Sequence, residues 1–353
     1  MNLKPSTVVV ALSGGVDSAL AAALLKEWGW EVFGLHFFLP AAPAKRSAKL
    51  ASSERIAEHL GIGMSILDVE DAFNRLVIDP FMDSYLQGLT PNPCVQCNQV
   101  IKFDQLLQYA RAHGIQYMAT GHYARIKRPD GKPVELWRGE DKNKEQTYFL
   151  HRLNQSHLSR MLLPLAETSK EDTRDLAVKF GLPVASEPES QEICFLPDED
   201  YRLLLETRKG LGIARSGDII DREGRKLGEH FGIYRYTIGQ RHGLGLASPR
   251  PYYVKEIRPE ENHIVVGRKE ELFSSQVEAE AFHWLAGCPS KKGVRVTAQV
   301  RYRHRAAPGW LEMVNSQEVR FTFDEPQWAI TPGQALVCYE GDRVLGGGWI
   351  KKA

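Results

Sequence analysis

From the start of the chain to about residue 200, short apolar runs alternate with longer segments whose apolar residues recur at helical spacing. The first run, Thr7 to Ala11, is apolar at successive positions, as expected for a strand buried on both faces of a sheet. Helical spacing follows from Asp17 to Glu27, and the next run covers Glu31 to Phe38. This alternation predicts a doubly wound α/β domain with a mostly parallel sheet.

The same rules predict further elements before residue 200. We expect helices at about 48–60, 72–86 and 98–112, and strands at 64–69 and in the run IQYMATGH at 115–122. The residues PDGK between Tyr123 and Trp137 separate two alternating runs and predict a hairpin. Thr168 and Glu171 have the spacing of a capping box for a helix that ends near Phe180.

The pattern changes beyond Cys194, where short strands with frequent glycines replace the helices, and from about residue 275 only alternating strands remain. Closed sheets are a common solution for a chain of short strands. We therefore expect three domains: an α/β catalytic domain at 1–200, a small β-rich connecting module at 201–274, and a C-terminal β-barrel at 275–353.

Composition adds two constraints. The 353 residues are 43% apolar and 25% charged, which excludes a disordered chain. Residues 1–200 carry 21 basic and 26 acidic side chains (−5), whereas residues 201–353 carry 24 and 18 (+6), so the C-terminal part suits an anionic partner. The start of the chain leads directly into a strand pattern, and no apolar run reaches transmembrane length, so we expect a cytoplasmic protein with no membrane association.

The sharpest chemical signal is Ser13-Gly14-Gly15-Val16-Asp17-Ser18, between a buried strand and an amphipathic helix. Two glycines allow a tight turn, and the helix start offers free N–H groups to an anion. The serine hydroxyls can donate to phosphate oxygens, and Asp17 can cap the helix or help to hold a cation. The lysine of a Walker loop is missing, so this is a phosphate loop of another kind.

Three of the five cysteines lie in suggestive contexts. Cys94 and Cys97 precede a predicted helix in TPNPCVQCNQVIKF, and Cys194 follows about a hundred residues later in SQEICFLPD. A thiol at a helix N-terminus has a lowered pKa and is nucleophilic, which favours Cys97. From these residues alone, zinc binding, redox chemistry and a catalytic thiol remain open. Cys288 and Cys338 are interpreted as packing residues.

The hexapeptide SGGVDS resembles the PP-loop of the ATP pyrophosphatases. Together with TPNPCVQCNxxIKF, ATGHYAR, NKEQTYFL, ICF, TIGQRHGLG, VRYRH and TPGQALVCY, it makes the chain resemble the bacterial tRNA-specific 2-thiouridylases from about residue 7 to about residue 350. The resemblance implies ATP-dependent 2-thiolation of the wobble uridine, position 34, of tRNA. It implies an adenylylated uridine, a cysteine persulfide as sulfur donor, ATP with Mg²⁺, and a cysteine desulfurase or sulfur-relay protein as partner; we expect a monomer.

The resemblance also implies roles for individual residues. Cys194 matches the persulfide position, and Cys97 matches the nucleophile that can pair with it in a disulfide. The ATP-binding positions are Ala11, Leu12, Ser13, Gly14, Gly15, Val16, Asp17, Ser18, Phe37 and Gly121. The positions matching contacts to tRNA or its target base are Asn92, Pro93, Cys94, His122, Lys144, Glu145, Gln146, Arg301, Tyr302 and Gln334.

One departure from the family keeps a second chemistry open. Cys94 stands where some members carry an aspartate proposed for proton transfer. Cys94, Cys97 and Cys194 could then hold a 4Fe-4S cluster whose open iron carries sulfide, although we expect no resident metal.

Two functions outside this family also fit the phosphate loop and the thiols. One is a PP-loop adenylating ligase that acts on a small molecule. It predicts no affinity for tRNA and no loss of activity when Cys97 and Cys194 are replaced. The second is a tRNA-binding or redox-sensing protein without ATP turnover.

A basic run in the last domain supports an RNA partner. Residues 294–303 alternate strictly, which predicts a strand with Arg295, Arg301 and Arg303 on one face. The net positive charge of this part of the chain makes a surface for the tRNA backbone the preferred interpretation.

Overall fold

A computed structural model describes residues 4–186, 193–196, 200–285, 287 and 293–352. The chain divides into two compact units. The first comprises Met1–Val77, Cys94–Phe195 and Asp342–Leu345, and the second comprises Ile78–Pro93, Leu196–Gly341 and Gly346–Ala353. Within the described ranges, no helix combines the length and the apolar character that a membrane crossing needs.

A five-stranded parallel sheet organises the first unit. Its strands, in the spatial order β3-β2-β1-β4-β7, are β1 (Thr7–Ala11), β2 (Glu31–Phe38), β3 (Met64–Asp68), β4 (Tyr117–Ala119) and β7 (Met161–Leu162). All four pairings are parallel. The chain order reverses at β1, and ligands of doubly wound folds bind at the carboxyl end of the strands at such a switch point. The predicted α/β class is thus confirmed, with the phosphate loop at the switch point.

Ten α-helices lie in the described part of the chain. They are α1 (Val16–Glu27), α2 (Pro43–Leu60), α3 (Glu70–Phe73), α4 (Asp79–Leu86), α5 (Pro93–Cys97), α6 (Asp104–Ala112), α7 (Thr147–Leu150), α8 (Gln155–Leu158), α9 (Lys170–Lys179) and α10 (Tyr201–Lys209). Helix α1 buries its apolar residues in the core beside β1 and packs against α9. The predicted hairpin is present as β5 (Ala124–Lys127) and β6 (Glu135–Arg138).

The second unit contains the two β-rich parts, except that residues 343–345 of their last strand belong to the first unit. One is a four-stranded sheet in the order β10-β11-β8-β9, built from β8 (Ser216–Ile220), β9 (Lys226–Phe231), β10 (Tyr253–Arg258) and β11 (His263–Gly267). The other is an antiparallel barrel of β12 (Phe273–Trp284), β13 (Gly293–Gln299), β14 (Ala307–Met313), β15 (Val319–Trp328), β16 (Ala335–Glu340) and β17 (Arg343–Lys352), closed by pairing of β12 with β17. The predicted terminal β-barrel is confirmed.

Several local predictions are wrong. The capping box of α9 is formed by Ser169 and Asp172, because Ser169 Oγ accepts from the Asp172 N–H at 3.0 Å; Thr168 and Glu171 do not form it. The strand predicted at 294–303 ends at Gln299, since the Gln299 Nε2 group donates to the carbonyls of residues 301 and 302 and holds a turn there. Arg301 and Arg303 are therefore not on a strand face with Arg295.

Candidate functional site

The phosphate loop connects β1 to α1. Gly14 has a φ of +77°, and a Cβ there would lie 2.6 Å from the Lys49 carbonyl oxygen, so only glycine fits. Gly15 is the N-cap of α1 and offers no side-chain cap, which leaves the first helical N–H groups without a side-chain acceptor. Ser18 Oγ donates to the Gly15 carbonyl at 2.9 Å and lies 3.1 Å from Ser13 Oγ. The loop thus presents amides and hydroxyls suited to an anion.

Asp17 lies in the first turn of α1 and does not cap the helix, as one of its two predicted roles required. Its Oδ1 atom lies 2.5 Å from Lys170 Nζ and accepts a hydrogen bond from the Tyr123 hydroxyl at 2.8 Å. Thr173 Oγ1 lies 2.9 Å from that hydroxyl. Gly15, rather than Asp17, caps the helix. The carboxylate is consequently tied to a lysine whose side chain is only 11% exposed.

Gly121 packs directly on the loop. A Cβ at this position would lie 2.5 Å from the carbonyl carbon of Asp17 and 2.7 Å from the Ser18 nitrogen. Those neighbours are backbone atoms at the start of α1, so an added side chain would force the backbone to shift. The structure thereby brings Gly121 to the phosphate loop, as the predicted nucleotide-binding set requires.

The other predicted ATP positions line the same strand ends. Ala11 is the last residue of β1, and Phe37 lies half-buried near the end of the neighbouring β2. Leu12 is buried, and its carbonyl lies 3.0 Å from His36 Nδ1. Val16 begins α1 and is buried. Nine of the ten predicted ATP positions therefore lie near the carboxyl ends of β1 and β2 or at the loop and helix start that follow β1, and Gly121, which follows β4, packs on that helix start.

The thiols lie in the first unit with a lysine near them. Cys97 is buried, Cys194 is half-buried and Cys94 is exposed. Burial raises the pKa of Cys97 to about 12; Lys102 opposes this shift, and Cys194 and Cys94 add to it. Since each of these groups affects the pKa of Cys97, the structure gathers the predicted nucleophile and the predicted persulfide residue. Both are thiols, without a disulfide between them.

The helix that carries Cys97 begins earlier than predicted. It starts at Pro93 as α5, continues as a π-helical segment over Asn98–Phe103, and ends as α6. Cys97 is therefore one turn inside the helix, and the predicted lowering of its pKa by a helix N-terminus is wrong. In a π-helix, hydrogen bonds join residues five apart, so Lys102 is placed about one turn beyond Cys97. Short π-segments occur frequently at functional sites.

His122 lies beside this group. Its Nδ1 atom is 2.8 Å from Thr120 Oγ1, and its ring centroid is 5.7 Å from that of Phe103. Desolvation, with Lys102 adding to it, lowers the pKa of His122 to about 3. The imidazole is neutral at physiological pH and can donate or accept a hydrogen bond but supplies no charge.

Two side chains of the segment 144–146 form hydrogen bonds to neighbouring residues. Glu145 is buried, and its Oε2 atom accepts from the Thr147 hydroxyl at 2.5 Å. Gln146 Oε1 accepts from the Tyr123 N–H at 3.0 Å, and its own N–H donates to the Tyr123 carbonyl. Lys144 is half-buried. These bonds connect the segment to the residue whose hydroxyl binds Asp17.

The remaining predicted tRNA positions lie in the second unit. Asn92 is half-buried and Pro93 is buried. Gln334 Nε2 donates to the Thr90 carbonyl at 2.8 Å, just before Asn92 in the chain. Arg301 Nη1 donates to the Trp328 carbonyl at 3.3 Å, and Tyr302 follows on the same half-buried turn.

Sequence reasoning missed Lys170, Tyr123 and Lys102 as members of the site. Tyr123 was visible in the ATGHY block, but nothing in the sequence places it on Asp17, which is 106 residues away. Within the described ranges, no group of three His, Cys, Asp or Glu side chains could hold a metal ion. The three cysteines are thus not arranged as cluster ligands. Cys288 lies outside the described residues, and Cys338 is buried in β16, as expected of a packing residue.

Comparisons with known proteins agree with this geometry. Residues 6–198 match a family model described as the tRNA methyl transferase HUP domain, 208–268 match its PRC-barrel domain, and 274–350 match an aminomethyltransferase beta-barrel domain. The chain is 47% identical to the tRNA-specific 2-thiouridylase MnmA of Carboxydothermus hydrogenoformans, with 98% of this chain and 97% of that protein covered. It is 45% identical to that of Geobacter metallireducens, again with 98% and 97% covered.

Proposed function

The chain belongs to the tRNA-specific 2-thiouridylase family, and we propose that it converts uridine 34 of tRNA to 2-thiouridine with ATP as activator and a cysteine persulfide as sulfur donor. The observation that carries the proposal is the presence, in one compact unit, of a phosphate loop at the switch point and of the thiols of Cys97 and Cys194, the second of which contributes to the raised pKa of the first. We propose that it acts in the cytoplasm, where thiols stay reduced, and that its three functional parts span 1–200, 201–274 and 275–353.

Uridine O2 is a poor leaving group, so it must be activated before sulfur can replace it. In the activation step, O2 attacks the α-phosphorus of ATP, which forms an adenylate and releases pyrophosphate. The negative charge of pyrophosphate is held by the N–H groups at the start of α1 and by the hydroxyls of Ser13 and Ser18. Lys170, beside the loop, supplies the positive charge that a Walker lysine provides in other phosphate loops.

Mg²⁺ fits the same loop. This ion usually takes one or two protein carboxylates together with substrate phosphates and water. Asp17 offers one carboxylate, whose side chain is 35% exposed beside the loop hydroxyls. When bound, Mg²⁺ would supply positive charge to the phosphate oxygens. Tyr123 holds the carboxylate in place through its hydroxyl.

Sulfur transfer uses the thiols. In the first route, the terminal sulfur of a Cys194 persulfide attacks C2 of the uridine, and AMP leaves. Cys97 then attacks the Cys194 sulfur, which forms a Cys97–Cys194 disulfide and releases thiouridine. Alternatively, Cys97 attacks the persulfide first and liberates hydrosulfide, which attacks C2. Either route leaves a disulfide that a cellular thiol reductant must reduce before the next cycle. A desulfurase or relay protein reloads Cys194.

We propose that Lys144 and the half-buried turn that carries Arg301 and Tyr302 contact the RNA backbone and bases. Glu145 and Gln146 instead shape their segment, because their side chains bond to Thr147 and Tyr123. We propose that Asn92, Pro93 and Cys94 surround the extruded base, that Gln334 braces them through Thr90, and that neutral His122 contributes a hydrogen bond.

The test is reconstitution. The protein is incubated with ATP, Mg²⁺, unmodified tRNA, cysteine and a cysteine desulfurase, and 2-thiouridine is measured by mass spectrometry beside Cys97→Ser and Cys194→Ser. Thiouridine in the wild type but in neither variant supports the proposal. Pyrophosphate release with a small acceptor and no thiouridine would instead favour an adenylating ligase, and tRNA binding without ATP turnover would favour a binding protein.

A further inference from the structure

The motif TIGQRHGLG, residues 237–245, has no part in the chemistry above, yet the structure holds it in a fixed conformation. The Thr237 N–H donates to Gln240 Oε1 at 3.1 Å, and Gln240 Nε2 donates to the His242 carbonyl at 2.9 Å. Gln240 therefore braces the loop from inside. Arg241 and His242 are exposed at its surface.

This loop forms one side of a cavity of about 630 Å³ within the second unit. That volume lies in the range of small-molecule pockets. The lining residues are Gly239, Gln240, Arg241, His242, Tyr253, Lys269, Phe273 and Trp328. None of them is a thiol or belongs to the phosphate loop, the two groups that the proposed chemistry uses.

The walls of the cavity are aromatic. Tyr253 and Trp328 pack edge to face with their ring centroids 6.2 Å apart, and the Phe273 side chain is 47% exposed. Gly239 has a φ of +86° and lies so close to the indole that a Cβ there would be 3.1 Å from Trp328 Cη2. An exposed phenylalanine beside two packed rings offers a stacking surface for a planar ligand.

The charged side chains at the cavity are basic. Arg241 and Lys269 are exposed, and no carboxylate is among the lining residues. Aromatic walls with cations beside them are complementary to a nucleotide, whose base stacks and whose phosphate is negative.

The cavity also adjoins the proposed tRNA contacts of the same unit. Arg301 donates to the carbonyl of Trp328, and its guanidinium carbon lies 5.9 Å from the Trp328 ring centroid. Thr237, at the start of the motif, lies 3.4 Å from Thr90 through their hydroxyls, and Thr90 accepts from Gln334. The cavity is thus continuous with residues expected to touch RNA.

We propose that this cavity binds one unstacked nucleotide of the tRNA, distinct from the thiolated uridine, with its base against Phe273 and its phosphate beside Arg241 and Lys269. The inference rests on the proposed function, because it needs tRNA as the substrate. Single-stranded nucleotides are recognised in this way when their bases leave the stack. The bound nucleotide would fix the register of the tRNA on the enzyme.

The experiment measures the Kd of unmodified tRNA for the full-length wild type, Phe273→Ala and Arg241→Ala at several salt concentrations. Phe231→Ala is the matched control for the first variant, because Phe231 is 63% exposed on β9 and does not line the cavity. Because loss of the ring removes the stacking of one base, we expect the Kd of tRNA to rise about five- to hundredfold in Phe273→Ala. For Arg241→Ala we expect a salt slope lower by about one.

A second measurement identifies the nucleotide. A set of tRNAs carries 4-thiouridine at one unpaired position each, and ultraviolet cross-links are mapped on the protein by mass spectrometry. A cross-link from one position to the peptides containing 239–242 or 273 supports the inference. Unchanged Kd and salt slope in both variants, or cross-links that avoid these peptides, would overturn it. The proposed function itself fails if the wild type does not thiolate tRNA in the reconstituted assay, whether or not it binds tRNA.

Discussion

Lys170 and Asp17 lie 153 residues apart in the chain, yet Lys170 Nζ is 2.5 Å from Asp17 Oδ1. Lys170 is the first residue of α9, and Asp17 stands in the first turn of α1. The packing of α9 on α1 brings them together. The phosphate loop therefore gains its lysine from tertiary structure, although its own sequence has none.

Replacing this lysine should weaken the binding of ATP. In Lys170→Met we expect the Kd of ATP to rise about ten- to hundredfold, because a charge-assisted contact to phosphate is lost. The affinity for AMP should change little, since AMP lacks the β- and γ-phosphates. Equilibrium dialysis of both nucleotides without tRNA measures this difference.

The control for that experiment is Lys179→Met, an exposed lysine in the last turn of the same helix. The Asp17 side chain is 35% exposed, so it stays solvated when Lys170 is removed, and the variant should fold. Equal losses for ATP and AMP would show that Lys170 supports the loop structurally rather than contacting phosphate.

Gly121→Ala should disrupt the phosphate loop. The new Cβ would lie 2.5 Å from a backbone atom of Asp17, so the start of α1 must shift. Overpacking of this kind costs about 1–3 kcal/mol of stability. We expect a lower melting temperature and loss of ATP-dependent pyrophosphate release. Gly212→Ala is the control, because nothing lies within 4 Å of its added Cβ.

The thiols should differ in reactivity. With a pKa of about 12, Cys97 holds on the order of a thousandfold less thiolate at neutral pH than an ordinary cysteine. Iodoacetamide should label exposed Cys94 before buried Cys97, although desolvation raises the pKa of Cys94 as well, and the labelling rate of Cys97 should keep rising with pH above 9. Lys102→Met should slow Cys97 further, because the cation that opposes the shift is gone. Rapid labelling of Cys97 at pH 7 would contradict this prediction.

Replacing Cys94 distinguishes sulfur transfer by a persulfide from sulfur transfer by a 4Fe-4S cluster. We expect Cys94→Ser to keep thiolation within about tenfold of the wild type in the reconstituted assay, whereas Cys97→Ser and Cys194→Ser lose it, because sulfur transfer by persulfide needs two thiols. Iron is measured in the same anaerobic preparations. Stoichiometric iron that disappears together with activity in Cys94→Ser would overturn the persulfide route.

Two arginines of the last domain should differ in their effect on tRNA binding. Arg295 is held by two hydrogen bonds to the Asp324 carboxylate, at 2.6 and 3.1 Å, whereas Arg301 donates only to backbone carbonyls. Arg301→Ala should weaken tRNA binding and lower the salt slope by about one, whereas Arg295→Ala should change both little. Filter binding across a salt series compares them.

Local sequence rules predicted the strands better than the helix starts. The bounds of β1 and β2 match the prediction, because apolar runs leave little choice of register. The helix carrying Cys97 starts at Pro93 instead of Asn98, since proline is well suited to the first helical turn, and no residue pattern indicates the π-segment. Cys97 therefore lies one turn inside the helix instead of at its start, and burial raises its pKa, opposite to the predicted direction.

Periodicity and motifs of contiguous residues were sufficient to predict the α/β class, the terminal barrel and the phosphate loop, because each of these depends on neighbours along the chain. The roles of Cys97 and Cys194 stay predictions. The charged groups that act on the phosphate loop and on the thiols are brought there by the three-dimensional packing. Lys170 and Tyr123 reach Asp17 through the packing of α9 and of the strand ends on α1, and burial sets the ionisation of Cys97 and His122. Electrostatic interactions depend on distance in space and on desolvation, which spacing along the chain does not fix.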